Sequence, residues 1–95
     1  MMQIKKKLAR MQNKKNPMIF VVEDNPMYND IVMSTLKMKH FTELRSFKNA
    51  EACMKDIHLN PDIIVLNYSY SDFTGLDLMQ KVHETKPWID FIFLS

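Results

Sequence analysis

Ninety-five residues with 46% apolar and 25% charged content are enough for one domain, and are too apolar to be disordered. A single cysteine excludes an internal disulfide and fits a reducing cytosol. No apolar run approaches the roughly 20 residues that span a bilayer, and the basic N-terminus lacks the apolar stretch of a signal peptide, so a cytoplasmic, non-membrane protein is expected.

The net charge of +2 is unevenly distributed. Residues 1–17 carry six basic groups (Lys5, Lys6, Lys7, Arg10, Lys14 and Lys15) and no acid, leaving seven basic against eleven acidic residues in positions 18–95. Ile4, Leu8 and Met11 fall at helical spacing in this leader, which Asn16-Pro17 ends. Basic charge without aromatic context reads more simply as a solvated leader or linker than as a nucleic-acid arm. Residues 18–95 form the body.

Met18 to Val22 is a short, wholly apolar run that stops at Glu23-Asp24, which is how a buried parallel strand reads. Asn25 caps a helix with Pro26 in its first turn. Tyr28, Ile31, Val32, Thr35 and Leu36 are its expected inner face, and it ends near His40. Thr42 to Phe47 reads as a poorly patterned second strand. Asn49 caps a short helix with Glu51 in its first turn and Ala52, Cys53 and Ile57 inward. Ile63 to Asn67 is a third strand, another apolar run with a polar end. Tyr68 to Gly75 is a loop, and Leu76 to Glu84 a helix with Leu76, Met79 and Val82 inward. Lys86-Pro87 breaks that helix, and Ile89 to Leu94 is strand four. Strands alternating with helices predict right-handed crossovers and a parallel α/β sheet.

In open α/β sheets, chemistry sits at the carboxyl ends of the strands. Glu23, Asp24 and Asn67 should therefore converge. Two carboxylates suit a hard divalent cation such as Mg²⁺. A carboxylate at position 67 could act as a nucleophile, whereas the carboxamide of Asn67 cannot. Cys53 reads as a core residue. His40 and His58 lie near helix ends with nothing in sequence to form a metal pair. His83-Glu84-Thr85-Lys86-Pro87 resembles, loosely, the phosphorylated-histidine motif of sensor kinases, but lacks one residue before the proline. His83 is read as a surface residue at a helix end.

Several of these spacings together resemble the receiver domain of bacterial response regulators. They are Val22-Glu23-Asp24-Asn25-Pro26, the approach Pro61-Asp62-Ile63-Ile64-Val65-Leu66, Gly75 eight residues after position 67, and Phe91-Ile92-Phe93-Leu94-Ser95. The resemblance covers Met18 to Ser95. It implies a flavodoxin-like parallel sheet with helices on both faces, truncated after strand four. It further implies Asp24 as direct Mg²⁺ ligand, Glu23 as a water-mediated one, position 67 as the phosphoacceptor and Ser95 as the switch hydroxyl. The departures are specific. The phosphoacceptor aspartate is Asn67, Tyr70-Ser71 stands where a Met-Pro or Leu-Pro pair is usual, and nothing replaces the lysine of strand five.

The expectation is a non-phosphorylatable pseudo-receiver in phosphorelay signalling, not an enzyme. It would hold Mg²⁺ weakly, and act through contacts with a histidine kinase or output protein. A homo-oligomer formed through strand four is expected, because loss of strand five leaves that strand as an edge. One alternative is a receiver fragment of a larger DNA-binding regulator, with nucleic acid bound only by the absent output domain. Another is a small flavodoxin-like phosphate-binding protein, disfavoured by the acidic first loop.

Overall fold

The computed structural model describes residues 16–67 and 75–94, and of Asn67 the backbone only. Four strands, β1 (Met18–Val22), β2 (Glu43–Phe47), β3 (Ile63–Asn67) and β4 (Asp90–Leu94), alternate with three helices. These are α1 (Pro26–Met38), α2 (Ala50–Lys55) and α3 (Gly75–Thr85), with a 3₁₀ turn at Ile57–Leu59. All strand pairs are parallel and the order is β2-β1-β3-β4. The basic leader up to residue 15 and residues 68–74, where a loop is expected, lie outside the described residues.

The two central strands are apolar on both faces because both faces are covered. Ile19, Val21, Ile63, Val65 and Ile92 share one cluster with Leu36 and Phe41, on the α1 side. Phe20, Val22, Ile64, Leu66 and Phe91 share the other with Cys53 of α2 and Leu78 and Val82 of α3. Two hydrogen bonds fasten the start of the sheet. The Met18 N–H donates to the Asp62 carboxylate at 2.8 Å, and the Asp62 N–H donates back to the Met18 carbonyl at 2.8 Å. β2 is an edge strand with only Leu44 and Phe47 half-buried, which explains its poor pattern.

Caps fall where side-chain chemistry places them. Asn25 Oδ1 accepts from the Met27 and Tyr28 N–H groups, and Asn49 Oδ1 from the Ala52 N–H. α1 closes in a Schellman motif: Phe41 N–H donates to the Leu36 carbonyl and His40 N–H to that of Lys37. His40 sits there at φ 70°, and Asn60 likewise adopts φ 58° before Pro61. In a chain with one glycine, asparagine and histidine take left-handed positions where glycine is usual.

Two helix faces differ from expectation. In α1 the inward residues are Asn29, Val32, Met33 and Leu36, while Tyr28, Ile31 and Thr35 are exposed. In α3 Leu78 is buried and Leu76 exposed, the helix beginning one residue earlier at Gly75. Gly75 packs so tightly on the sheet that an added Cβ would lie 2.6 Å from Phe93 Cε1 and 2.7 Å from Leu66 Cδ1. His83 is not a plain surface residue. Its Nε2 donates to the Ile89 carbonyl at 2.7 Å, and its ring meets Phe91 edge-on at 5.2 Å.

Candidate functional site

The chain passes from β1 to β2 on one side of β1, then returns to β3 on the other. That reversal opens a crevice beyond the carboxyl ends of β1 and β3, where α/β sheets place ligands. Val22 is paired with Leu66. Glu23 and Asn67 are each one residue beyond that pair, so the register puts them side by side at the crevice, with Asp24 following.

Glu23 is anchored from both sides. Its N–H donates to the Phe47 carbonyl of β2 at 3.0 Å. Its carbonyl accepts from Asn29 Nδ2, in the first turn of α1, at 3.3 Å. Glu23 is the one buried charged residue among those described, at 6% exposure, whereas Asp24 is exposed. A buried carboxylate is costly unless partnered, and no buried side-chain nitrogen or oxygen among the described residues lacks a partner. Both acids precede the N-terminus of α1, where the helix dipole favours negative charge.

The oxygen donors that the register brings to the crevice are the Glu23 and Asp24 carboxylates and the carboxamide position of Asn67, at the end of β3 beside Leu94 of β4. Oxygen donors of this kind could hold a hard cation such as Mg²⁺, and a carboxamide adds no charge to them. Among the described residues no three of His, Cys, Asp and Glu gather as a metal cluster. The side chain of Asn67, the pair Tyr70-Ser71 and Ser95 lie outside what is described.

Other candidates fall away from the crevice. Cys53 is fully buried in the α2–α3 core, and burial, with the Asp56 charge adding, pushes its thiol up to about 12. His40 and His58 are exposed, the latter with Nδ1 3.1 Å from the Lys55 carbonyl. No helix among the described residues is long and apolar enough to cross a membrane. Asn29, which ties α1 to the site, is not among the residues expected there from sequence. Its signal was a polar residue at a position facing the sheet.

The response regulator receiver domain family model matches residues 19–95. The chain belongs to that family. It is 23% identical over 77 residues to the probable transcriptional regulatory protein TcrX of Mycobacterium tuberculosis, a match covering 81% of this chain and 33% of that protein. The chain thus spans about a third of that curated relative. Among solved structures, a response regulator receiver protein from Pseudomonas putida superposes with a TM-score of 0.74 at 19% identity, covering 85% of this chain and 69% of the other. The N-terminal domain of a receiver protein from Methanoculleus marisnigri JR1 gives 0.71 at 20%, covering 82% and 65%. The non-phosphorylated HemR receiver domain from Leptospira biflexa gives 0.71 at 22%, covering 81% and 62%. These structural likenesses establish the flavodoxin-like fold.

Proposed function

We propose that this receiver domain of two-component signalling does not accept a phosphoryl group, and acts through protein contacts rather than as an enzyme. The observation that carries the reading is Asn67. Its backbone ends β3 at the crevice beside Glu23, at the position where the family resemblance puts the phosphoacceptor. An acyl phosphate needs a carboxylate to attack phosphorus, and an amide oxygen is a poor nucleophile that yields no stable adduct. Glu23, Asp24 and Asn67 would hold Mg²⁺ with low affinity, and the ion would supply charge neutralisation for an incoming anion. The chain's own groups do the rest. The bonds from Phe47 and Asn29 hold the Glu23 backbone, and the capped start of α1 keeps the acidic pair at the crevice whether or not a cation is present.

The partners proposed are a histidine kinase or an output protein in the cytoplasm. Among the described residues β4 pairs with β3 alone, and its other edge also supports pairing with another strand, from a second copy or from further chain. A second reading is favoured by one comparison. The relative from M. tuberculosis is named a transcriptional regulatory protein and is about three times as long as the matched region. This chain would then be the receiver part of a DNA-binding regulator, with the nucleic-acid contact made elsewhere.

Intact-mass measurement after incubation with acetyl phosphate and Mg²⁺ tests the main reading. An unchanged mass is expected. A stable single phosphoryl addition mapping to Asn67 would overturn it.

A further inference from the structure

α1 is apolar on two opposite faces. The inner one (Val32, Met33 and Leu36) packs on the sheet. The outer one consists of Met27, Ile31, Ser34 and Met38, spaced four, three and four residues apart, a stripe at helical period. Met27 is 60% exposed, Ile31 55% and Met38 80%. Isolated exposed apolar residues are ordinary, but an aligned stripe along a whole helix marks an interaction surface.

We infer that this face of α1 binds the same face of a second copy, antiparallel, about a two-fold axis beside Ser34. Three features select a second copy as the occupant. Asp30 and Lys37, both exposed, lie two turns apart on one flank of the stripe. A two-fold axis perpendicular to antiparallel helices keeps that flank on the same side in both copies. With the axis at position 34, position 37 of one helix is level with position 31 of the other, and Asp30 of the second copy is about 1.5 Å further along. Each Lys37 thus meets the other copy's Asp30, and the pairing occurs twice.

The second feature is shape. Met27, Asp30, Ile31 and Ser34, with Thr35, line a shallow open depression. The first four sit at i, i+3, i+4 and i+7, the outline of a hole for one knob from a facing helix. The same axis sets Met38 of the second copy level with position 30, over that depression. Methionine is the side chain best able to fill such an irregular gap. The third feature is Ser34, small enough at the axis for the two backbones to approach closely.

The contact is one helix wide, so it belongs to the weak, reversible class, below about 1,200 Å² of buried surface. It is independent of Asn67 and of phosphorylation, and separate from pairing along β4.

Sedimentation equilibrium of the full chain over about 10 µM to 1 mM, the range suited to a contact of that class, should show a monomer–dimer equilibrium. Asp30→Lys turns two attractions into two repulsions and should weaken dimerisation about tenfold, as should Lys37→Asp. The double swap should return to within about threefold of the wild type, because the attractive pairs are restored with reversed sign. Under mild oxidation Ser34→Cys should cross-link as a homodimer, while Gln80→Cys on the exposed face of α3 should not. Cys53, fully buried, should stay silent in both. A monomer at every concentration would overturn the proposal. So would a dimer indifferent to Asp30→Lys, as pairing through β4 would be, or a double swap that stays as weak as the single ones.

Discussion

Gly75→Ala should lower the melting temperature although alanine is the better helix former. An ideal Cβ at this position would lie 2.6 Å from Phe93 Cε1, 2.7 Å from Leu66 Cδ1 and 3.2 Å from Phe93 Cδ1. Carbon atoms prefer about 3.5–4.0 Å, so two overlaps of roughly 1 Å must be relieved. Leu66 is buried in a central strand and has little room to move, whereas Phe93 is half-buried and its ring can turn. Overpacking of this kind costs about 1–3 kcal/mol. Alanine offsets at most about 1 kcal/mol through helix propensity, and less at the first residue of a helix. The net loss is about 1–2 kcal/mol, which for a domain of this size lowers the melting temperature by about 4–16 °C. Thermal unfolding followed by circular dichroism measures it. Adding Phe93→Leu removes the nearer ring atoms, so the double mutant should be more stable than the two single losses added together predict. An unchanged or raised melting temperature, or strict additivity, would refute the close-packing argument.

Asn67→Asp should tighten Mg²⁺ binding about tenfold or more by restoring a third carboxylate at the crevice. Calorimetry suits this better than tryptophan fluorescence, because Trp88 precedes β4 at the opposite end of the sheet; equal affinities would mean the three positions do not share a site. His40→Gly should stabilise the fold by about 1 kcal/mol in urea titrations, since glycine adopts the left-handed end of α1 without strain. Cys53 should react with a thiol reagent only on unfolding. With its thiol pushed up to about 12 in the folded chain against an ordinary value of 9.0, the folded state holds its proton more tightly. The associated stability is complete below pH 9.0 and is lost as pH rises towards 12. Rapid labelling of the native protein at neutral pH would contradict that burial.

The strands and caps were legible because their signals are local. Met18–Val22 and Ile63–Asn67 match their expected bounds, being apolar runs stopped by polar residues. β2 and β4 differ from expectation only in their first residue. The helix faces were less legible. α1 has apolar residues on both sides, and the polar Asn29 on its inner face breaks the pattern, so the expected stripe is rotated away from the sheet. In α3 the inward series is Gly75, Leu78 and Val82, and a glycine that packs by lacking a side chain leaves no hydrophobic mark. The partners of His83 lie six and eight residues on, across a turn, and nothing in local sequence announces them. The juxtaposition of the acidic pair with Asn67 was legible because the pair follows one apolar strand and Asn67 ends another, and parallel pairing brings those ends together.

The central claim is signalling without phosphoryl acceptance, and amide NMR spectra of the chain with Mg²⁺, before and after adding beryllofluoride, test it most directly. A beryllofluoride adduct needs a carboxylate oxygen to bond beryllium, as an acyl phosphate needs one to bond phosphorus. With a carboxamide at position 67 the spectra should superimpose, with no peak moving beyond what Mg²⁺ alone produces. A second, saturable set of peaks around Asn67, Glu23 and the end of β4 would show that the site takes a phosphoryl analogue, and would contradict the account.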